Sequence, residues 1–458
     1  MQDADRLREV ANDCVHCGFC LPACPTYQLW AEEMDSPRGR IYLVNQILDG
    51  AELTPAAAQH FDRCLGCMAC MTACPSGVQY DQLIEAARVW TEEARPALPA
   101  PPEGKQGVRD RAARVAIFAL FPYPRRLRAM TGPLRAAQRS GLNRRLARSG
   151  LPGRLSPALA AAMRLAPRDL PPRAAAARLP ERVQARGPRR AVVGMLTGCV
   201  QSVFFPQVNA ATARVLALEG CDVIIPRGQG CCGALSLHSG REAEAAAFAR
   251  RTIAEFERAQ RGGVDAVVVN SAGCGSAMKE YERLLAGADE SGRGGEESGR
   301  GGEGWAARGA AMSGKVRDFT EFLAELGPVA ARHPLPVTAA YHDACHLGHA
   351  QRITRQPREL LRAIPGLNLV ELPDAGTCCG SAGVYNLLQP EAAGELGARK
   401  AQAVLDAGAP LVVSANPGCS LQIAAALADR GEQVAVAHVA EMLDASLRGL
   451  PPPLSLEL

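Results

Sequence analysis

The stretch "CVHCGFCLPACP", residues 14–25, decides the fold, because it places four cysteines close together and ends on a proline. Its cysteines are separated by two, two and three residues. The same spacing and the same proline return in "CLGCMACMTACP", residues 64–75. A thiolate at every third position lets a tight loop surround an iron–sulfur cluster, so each run predicts a 4Fe-4S site.

The fourth cysteine of each run binds the other cluster in two-cluster ferredoxins. Two 4Fe-4S clusters with crossed ligands are therefore predicted: Cys14, Cys17, Cys20 and Cys74 for the first, and Cys64, Cys67, Cys70 and Cys24 for the second. Zinc and disulfides are the competing interpretations. A structural zinc site draws its ligands from two pairs, and no export signal favours disulfides. The proline after each run predicts that a helix begins there.

The composition predicts a soluble globular protein of about three domains, since the chain has 458 residues, 47% hydrophobic and 21% charged. Apolar runs such as residues 115–121 are too short to cross a bilayer. The N-terminal residues are polar and unlike a signal peptide, so we expect a cytoplasmic location with reduced thiols for the seventeen cysteines.

The net charge of +4 conceals a basic segment. Residues 101–190 contain 20 Arg and one Lys against four acidic residues, so this segment carries +17 and the rest of the chain −13. Such charge favours an anionic membrane surface or a partner subunit, or simply solvated helix faces. Nucleic acid is not an expected partner, because no nucleic-acid-binding signature accompanies the arginines.

The first domain, residues 1–95, is predicted to be a helical ferredoxin. Ser36 and Thr54 each precede a proline, as an N-cap residue precedes the first residue of a helix. A Pro/Gly linker and the basic helical region are expected to follow over residues 96–189.

From residue 190 onward, short β-branched runs alternate with helical stretches, which predicts a mostly parallel sheet covered by helices. Three cysteine landmarks then recur at offsets of 146, 147 and 145 residues. The repeat predicts two α/β domains, residues 190–330 and 331–458, named here the first and second CCG domains after their Cys-Cys-Gly sequences. Residues 288–304 are expected to be a disordered loop, and no dinucleotide fingerprint follows a strand.

Ligands of open α/β sheets lie beyond the carboxyl ends of strands, so each CCG domain should gather four thiols. These are Cys199, Cys231, Cys232 and Cys274 in the first, and Cys345, Cys378, Cys379 and Cys419 in the second. An additional iron–sulfur cluster at either site and a redox-silent scaffold both remain open. Cys221 is interpreted as a small buried strand residue. The flanking histidines are interpreted as orienting or capping groups and not as iron ligands: His238, His342, His346 and His349.

With two four-cysteine runs followed by two CCG domains, the chain resembles the iron–sulfur subunits of bacterial glycolate oxidase. Three further segments carry the resemblance: "MDSPRGRIYL" at 34–43, "LFPYPRRLR" at 120–128 and "GCCGALSLHSG" at 230–240. The expected fold is α+β and multidomain: a helical two-cluster ferredoxin domain followed by two tandem α/β CCG domains. In the related heterodisulfide reductases, a fifth cysteine stands three residues before the last one. Ser271 and Asn416 occupy those positions here, which disfavours disulfide reduction by this chain.

The resemblance implies an electron-transfer subunit of a membrane-associated glycolate oxidase. FAD-containing flavoprotein partners would oxidise glycolate, and also D-lactate, and the clusters would pass electrons to a quinone or another acceptor. This chain would then hold no flavin and no substrate-catalytic residue, and would attach peripherally to the inner face of the cell membrane. The alternatives are a subunit of a D-lactate or glycerol-3-phosphate dehydrogenase, or a thiol–disulfide reductase.

Overall fold

The computed structural model describes residues 4–98, 105–167, 170, 179–259, 262–290 and 304–454. An N-terminal helical domain that contains both four-cysteine runs is followed by helices of the basic segment and then by two α/β domains with parallel sheets. No helix within these residues is both long enough and apolar enough to cross a membrane.

The N-terminal domain consists of short helices around an apolar core: Ala4–Asn12, Pro25–Trp30, Pro37–Leu48, Pro55–Arg63, Ala69–Ala73 and Tyr80–Ala94, with a 3-10 turn at Glu33–Asp35. The Ser36 hydroxyl accepts a hydrogen bond from the amide of Gly39, and Thr54 accepts one from Ala57, so both predicted N-caps are confirmed. The prediction that a helix begins at Pro75 is wrong. Gly77 has a φ of +71°, a left-handed conformation that cannot continue a helix, so the next helix begins only at Tyr80.

The basic segment forms a layer of helices: Lys105–Leu120, Pro124–Arg139, Leu142–Ser149, Leu151–Leu155 and Pro157–Leu165. Much of the proposed linker, residues 99–104, lies outside the described residues. Several arginines of the segment are held by acidic residues elsewhere in the chain. Arg114 pairs with Glu92 at 2.7 Å, and Arg182 pairs with Asp222 at 2.6 Å.

The first CCG domain has a five-stranded sheet: β1 (Arg182–Val183), β2 (Ala191–Leu196), β3 (Cys221–Ile224), β4 (Ala266–Val269) and β5 (Val316–Asp318). The strand order is β1-β3-β2-β4-β5, and all neighbours are parallel except β1 and β3. The covering helices are Gln201–Phe204, Pro206–Leu218, Ala234–Leu237, Glu242–Ala259, Ala272–Lys279, Tyr281–Glu290, Trp305–Lys315 and Phe319–Leu326. Cys221 begins β3 and is fully buried, as its interpretation as a core residue requires.

The second CCG domain has a parallel four-stranded sheet: β6 (Val337–Tyr341), β7 (Leu367–Glu371), β8 (Leu411–Ser414) and β9 (Ala435–His438), in the order β7-β6-β8-β9. Its helices are Arg355–Arg362, Tyr385–Leu388, Pro390–Asp406, Pro417–Asp429 and Val439–Arg448, with a π-helical turn at His346–Ala350. The segment expected to be a loop begins inside a helix, Tyr281–Glu290, and its residues 291–303 lie outside the described part of the chain.

The two CCG domains share one hydrophobic core, to which both sheets contribute. Arg214 and Asp444, on facing helices of the two domains, form an ion pair at 2.6 Å beside that core. Closer to the cysteines, the amide of Ala272 donates to the carbonyl of Ala415. Because the domains are packed this closely, their two groups of cysteines face the same interface.

Candidate iron–sulfur sites

The first predicted cluster site is a surface cavity of the N-terminal domain. Its lining includes Cys14, Cys17 and Cys20 from the first run, and Cys70 and Cys74 from the second, whereas Cys24 does not line it. Loop residues beside the cavity expose apolar side chains, with Phe19 65% exposed. A cluster in this cavity would therefore lie within reach of a partner protein.

Burial divides the eight thiols in the same way as the crossed ligand assignment. The first set contains one exposed and three partly buried cysteines: Cys14, Cys17, Cys20 and Cys74. Every cysteine of the second set is buried: Cys24, Cys64, Cys67 and Cys70. A division by sequence run would instead place the buried Cys24 with the three more exposed thiols of the first run, and the partly buried Cys74 with the three buried thiols of the second run. The ligand sets remain a prediction, and this division supports them.

At the second site, the surroundings of Cys64 are suited to a thiolate ligand. Burial alone would raise the pKa of the Cys64 thiol, but the guanidinium groups of Arg40 and Arg88 outweigh it and lower that pKa below its usual value. The amide of Gly66 donates to Cys64 Sγ at 3.4 Å, and the Tyr80 hydroxyl lies 3.6 Å from the same sulfur. These donors stabilise a negatively charged sulfur and tune the potential of a cluster bound there.

Arg40 is fixed by a buried ion-pair network. Asp35 is fully buried, and its carboxylate oxygens lie 3.3 Å from a guanidinium nitrogen of Arg40, 2.9 Å from His60 Nδ1 and 2.8 Å from a guanidinium nitrogen of Arg63. Arg40 also donates to the Thr26 hydroxyl, which lies 3.2 Å from Cys24 Sγ. The helix between the two cysteine runs thus places one cation beside thiols from both runs, Cys24 and Cys64.

The second site adjoins the second CCG domain. Cys67, Cys345 and Cys378 belong to one apolar cluster, together with Tyr385. Burial raises the pKa of the Cys67 thiol well above its usual value, and the neighbouring Cys345 thiol raises it further. The Tyr385 side chain interacts electrostatically with both Cys64 and Cys378. Sites from two separate domains are therefore direct neighbours.

Each CCG domain gathers its four thiols as predicted, as a chain of contacts at the carboxyl ends of the strands. In the first, Cys199 Sγ lies 3.8 Å from Cys231 Sγ, Cys231 contacts Cys232, and Cys232 contacts Cys274. The second follows the same order, with contacts from Cys345 to Cys378, from Cys378 to Cys379 and from Cys379 to Cys419. Whether these thiols bind metal stays a prediction.

The glycine of each Cys-Cys-Gly sequence has a steric explanation. Gly233 and Gly380 have φ angles of +92° and +86°, which L-residues with a Cβ rarely adopt. A Cβ atom would lie 2.9 Å from the Ala245 carbonyl oxygen in the first domain and 2.8 Å from that of Ala393 in the second. The glycine lets the cysteine loop approach the neighbouring helix, which fixes the paired thiols.

The two residues that replace a fifth cysteine meet each other at the interface. The Ser271 hydroxyl donates to Asn416 Oδ1 at 3.3 Å, and Asn416 Nδ2 donates to Cys419 Sγ at 3.4 Å. The neighbouring Cys232 thiol and burial raise the pKa of the Cys274 thiol well above its usual value, and a hydrogen bond with Ser271 opposes this rise only in part. These positions therefore supply hydrogen bonds to cysteine sulfurs at both sites.

The surroundings of His342 are those of a buried group beside cysteines. The histidine follows β6 directly, is 1% exposed, and has no hydrogen-bond partner on either ring nitrogen among the residues that the structure describes. One ring nitrogen and the sulfurs of Cys379 and Cys419 all lie within 4.8 Å of one another. Burial, with the nearby Lys400, lowers the pKa of His342 to about 3, so its imidazole is neutral. The sequence offers only the position at a strand end as a signal for this contact.

The other flanking histidines have different surroundings. His349 contacts the Thr72 hydroxyl and the Gly376 carbonyl, each at 2.9 Å, and so joins the N-terminal domain to the second CCG domain. His238 and His346 pack with ring centroids 4.8 Å apart between the two CCG sites. His346 Nδ1 also lies 3.5 Å from Cys345 Sγ.

Three family models match the chain, in four regions. The 4Fe-4S dicluster domain matches residues 10–78, and the cysteine-rich domain matches residues 193–279 and again 339–424. The linker region of the glycolate oxidase iron–sulfur subunit matches residues 109–166. The fold and the sites thus define an iron–sulfur protein with one dicluster domain and two CCG domains.

Similar curated proteins narrow this class. The chain is 36% identical over 440 residues to the probable glycolate oxidase iron–sulfur subunit of Bacillus subtilis (strain 168), covering 94% of this chain and 93% of that protein. It is 34% identical over 447 residues to the glycolate oxidase iron–sulfur subunit of Escherichia coli (strain K12), covering 96% and 94%. Lactate utilization protein A of Geobacillus sp. (strain WCH70) is 28% identical over 255 residues, covering 55% of this chain and 98% of that protein.

The chain belongs to the family of glycolate oxidase iron–sulfur subunits. This confirms the resemblance and the predicted fold class, and it confirms iron–sulfur clusters as the cofactors of the chain. The site geometry fits them, because the described residues supply thiols around a cavity, buried cations and amide donors to sulfur. Such clusters carry single electrons between redox partners.

Proposed function

We propose that this chain is the electron-transfer subunit of a complex that oxidises glycolate to glyoxylate. Removing a hydride from a hydroxy acid needs a two-electron cofactor, which we assign to an FAD-containing flavoprotein subunit. The chain would accept these electrons one at a time and deliver them to a quinone or another acceptor. On this proposal the flavoprotein oxidises glycolate, and this chain only transfers the electrons.

The observation that carries the proposal is the series of neighbouring thiol sites. It begins at the surface cavity with the exposed Cys17, continues to the buried second site, and reaches the second CCG domain where Cys67 adjoins Cys345. A series of this kind connects the surface of the N-terminal domain to the interior. It supports conduction between two partners more than storage of charge at one site.

A further part of the proposal is reversible attachment to the inner face of the cytoplasmic membrane. The basic segment exposes arginines such as Arg125 and Arg126, and three leucines of its last helices are also about half exposed: Leu151, Leu155 and Leu159. Each basic residue near an anionic leaflet contributes about 1 kcal/mol, and salt screens it within about 10 Å. Attachment there would bring the chain close to membrane quinone.

The test uses the native complex, isolated anaerobically through a tag on this chain. Glycolate should reduce the clusters of the complex, which freeze-quench electron paramagnetic resonance would detect, and flavin should be present in the complex. The same chain purified alone should show no flavin and no reduction by glycolate, although dithionite should still reduce its clusters. Reduction of the isolated chain by glycolate would overturn the division of labour.

D-lactate is the second candidate donor, favoured by the similarity to lactate utilization protein A. The same complex should therefore be mixed with D-lactate, and with glycerol 3-phosphate as a further arm. Faster cluster reduction by either compound than by glycolate would reassign the donor while leaving the electron-transfer role unchanged.

A further inference from the structure

We propose that His342 supplies a nitrogen ligand to an iron–sulfur centre in the second CCG domain, together with Cys345, Cys378, Cys379 and Cys419. The inference rests on the proposed function, because it takes the second CCG site to be part of the electron route. It also makes the two CCG sites unequal, since His342 stands where the first domain has Leu196.

The first argument is the state of the histidine itself. A buried imidazole without a hydrogen bond is costly, and buried polar groups almost always have a partner. His342 is 1% exposed, and within the described part of the chain neither ring nitrogen has a hydrogen-bond partner. By contrast, the buried His438 has partners on both nitrogens, the Asn270 carbonyl at 2.9 Å and the Ala440 amide at 3.0 Å. A metal ligand bond would satisfy one of the two ring nitrogens of His342.

The second argument is the direction of its ring. A ring nitrogen of His342 lies within 4.8 Å of the sulfurs of both Cys379 and Cys419, and all three residues are buried. The buried ammonium of Lys400 interacts with the same two sulfurs and with Cys378, and so offsets the charge of several thiolates. Imidazole, thiolates and a compensating cation together form the surroundings of a metal centre.

The third argument concerns the kind of metal. Four thiols and one imidazole are five donors, whereas a structural zinc ion takes four. The site also adjoins Cys67 of the second ferredoxin site, which places it next to an electron carrier. An iron–sulfur centre accounts for both the five donors and the position next to an electron carrier. One electron would pass to it from the second cluster, which is oxidised as the centre is reduced, with no bond made or broken.

The expected consequence is a higher reduction potential. A neutral imidazole as the fifth ligand adds no negative charge to the centre, whereas a thiolate at the same position would add one and lower the potential. His342 would thus give the second CCG site a higher potential than a fifth cysteine would give it, which favours electron acceptance there. The first CCG site, with Leu196 at the matching position, would lack this ligand.

The test is electron–nuclear double resonance on the native complex labelled with [15N]histidine. The unmodified complex should contain more than about eight irons per copy of this chain, since the two ferredoxin clusters account for about eight. Its third centre should show strong coupling to a histidine nitrogen. His342→Leu, which installs the residue of the first domain, should abolish the coupling. His342→Cys should also abolish it, but should retain the iron and lower the potential of the centre.

His346→Gln is the matched control, because His346 also lies beside a cysteine of this site. Coupling that survives in His342→Leu, or that disappears only in His346→Gln, would overturn the assignment. So would zinc in place of the additional iron, or the absence of any metal beyond the two clusters. If His342→Leu fails to accumulate, loss of the coupling in His342→Cys and its survival in His346→Gln decide the matter. Failure of the proposed function would be seen separately, as clusters that glycolate does not reduce.

Discussion

Replacing Tyr80 by phenylalanine should lower the reduction potential of the second ferredoxin cluster. Tyr80 is buried, and its hydroxyl lies 3.6 Å from Cys64 Sγ. Burial and the neighbouring thiol raise the pKa of this hydroxyl well above its usual value, so it remains a protonated donor. Reduction adds negative charge to the cluster and strengthens the hydrogen bond. Loss of the hydroxyl therefore destabilises the reduced form more than the oxidised form.

The size of the shift follows from the strength of one hydrogen bond. A net contribution of about 1 kcal/mol is typical. For a one-electron couple, about 59 mV corresponds to a tenfold change in the equilibrium constant, or about 1.4 kcal/mol. The potential should therefore fall by about 40 mV. Phenylalanine keeps the volume of the side chain, so packing around the cluster should be preserved.

The assay is an anaerobic redox titration followed by electron paramagnetic resonance. Tyr42→Phe is the control, because Tyr42 is exposed in the same domain and its hydroxyl bonds only Gln46 among the contacts described. It should leave both potentials unchanged. A second-cluster potential that is unchanged or higher in Tyr80→Phe, or a shift confined to the first cluster, would refute the placement of Tyr80 beside a cluster ligand.

Three other predictions concern stability and location. Burial raises the pKa of Glu441 from 4.5 to about 7. The protonated carboxyl therefore contributes at most about 3 kcal/mol to the unfolding free energy, and this contribution is complete below pH 4.5 and lost as the pH rises through 7. Glu441→Gln should make the unfolding free energy measured with denaturant less dependent on pH over that range, and an unchanged dependence on pH would contradict the assignment. Gly380→Ala should destabilise the protein by clearly more than the roughly 1–2 kcal/mol that a left-handed alanine costs, because the added Cβ would lie 2.8 Å from the Ala393 carbonyl oxygen. Gly408 has a φ of +64° and open space around it, so Gly408→Ala should show only that smaller loss. Equal shifts of the denaturation midpoint in the two variants would argue against crowding at Gly380. The complex should sediment with anionic vesicles at low salt and be released at high salt without detergent, and retention at high salt would require a hydrophobic or subunit-mediated anchor.

Local chemistry explains why much of this architecture could be predicted from the sequence. The spacing of cysteines within each run is a property of a tight loop around a cluster, so it is visible without tertiary structure. Ser36 and Thr54 likewise mark helix starts through bonds that span only three residues. The β-branched runs that became β2, β3 and β4 needed only their composition and their alternation with helices.

Features that depend on tertiary packing were not predictable in this way. The proximity of His342 to Cys379 and Cys419 requires the end of β6 to approach two other segments of the chain. The proximity of Cys67 to Cys345 joins residues from different domains, and no local pattern encodes it. Pro75 illustrates the opposite error, since a correct local rule was overridden by the left-handed Gly77 two residues later.

The central claim, that the two ferredoxin clusters exchange their fourth ligands, is tested most directly by a pair of cysteine replacements. Cys24→Ser should damage the cluster whose potential responds to Tyr80→Phe, and should leave the cluster at the surface cavity intact. Cys74→Ser should do the reverse. Iron content and the resonance signal of each cluster would be measured in both variants. Damage by Cys24→Ser to the cluster of Cys14, Cys17 and Cys20, with the Tyr80-sensitive signal intact, would contradict the account.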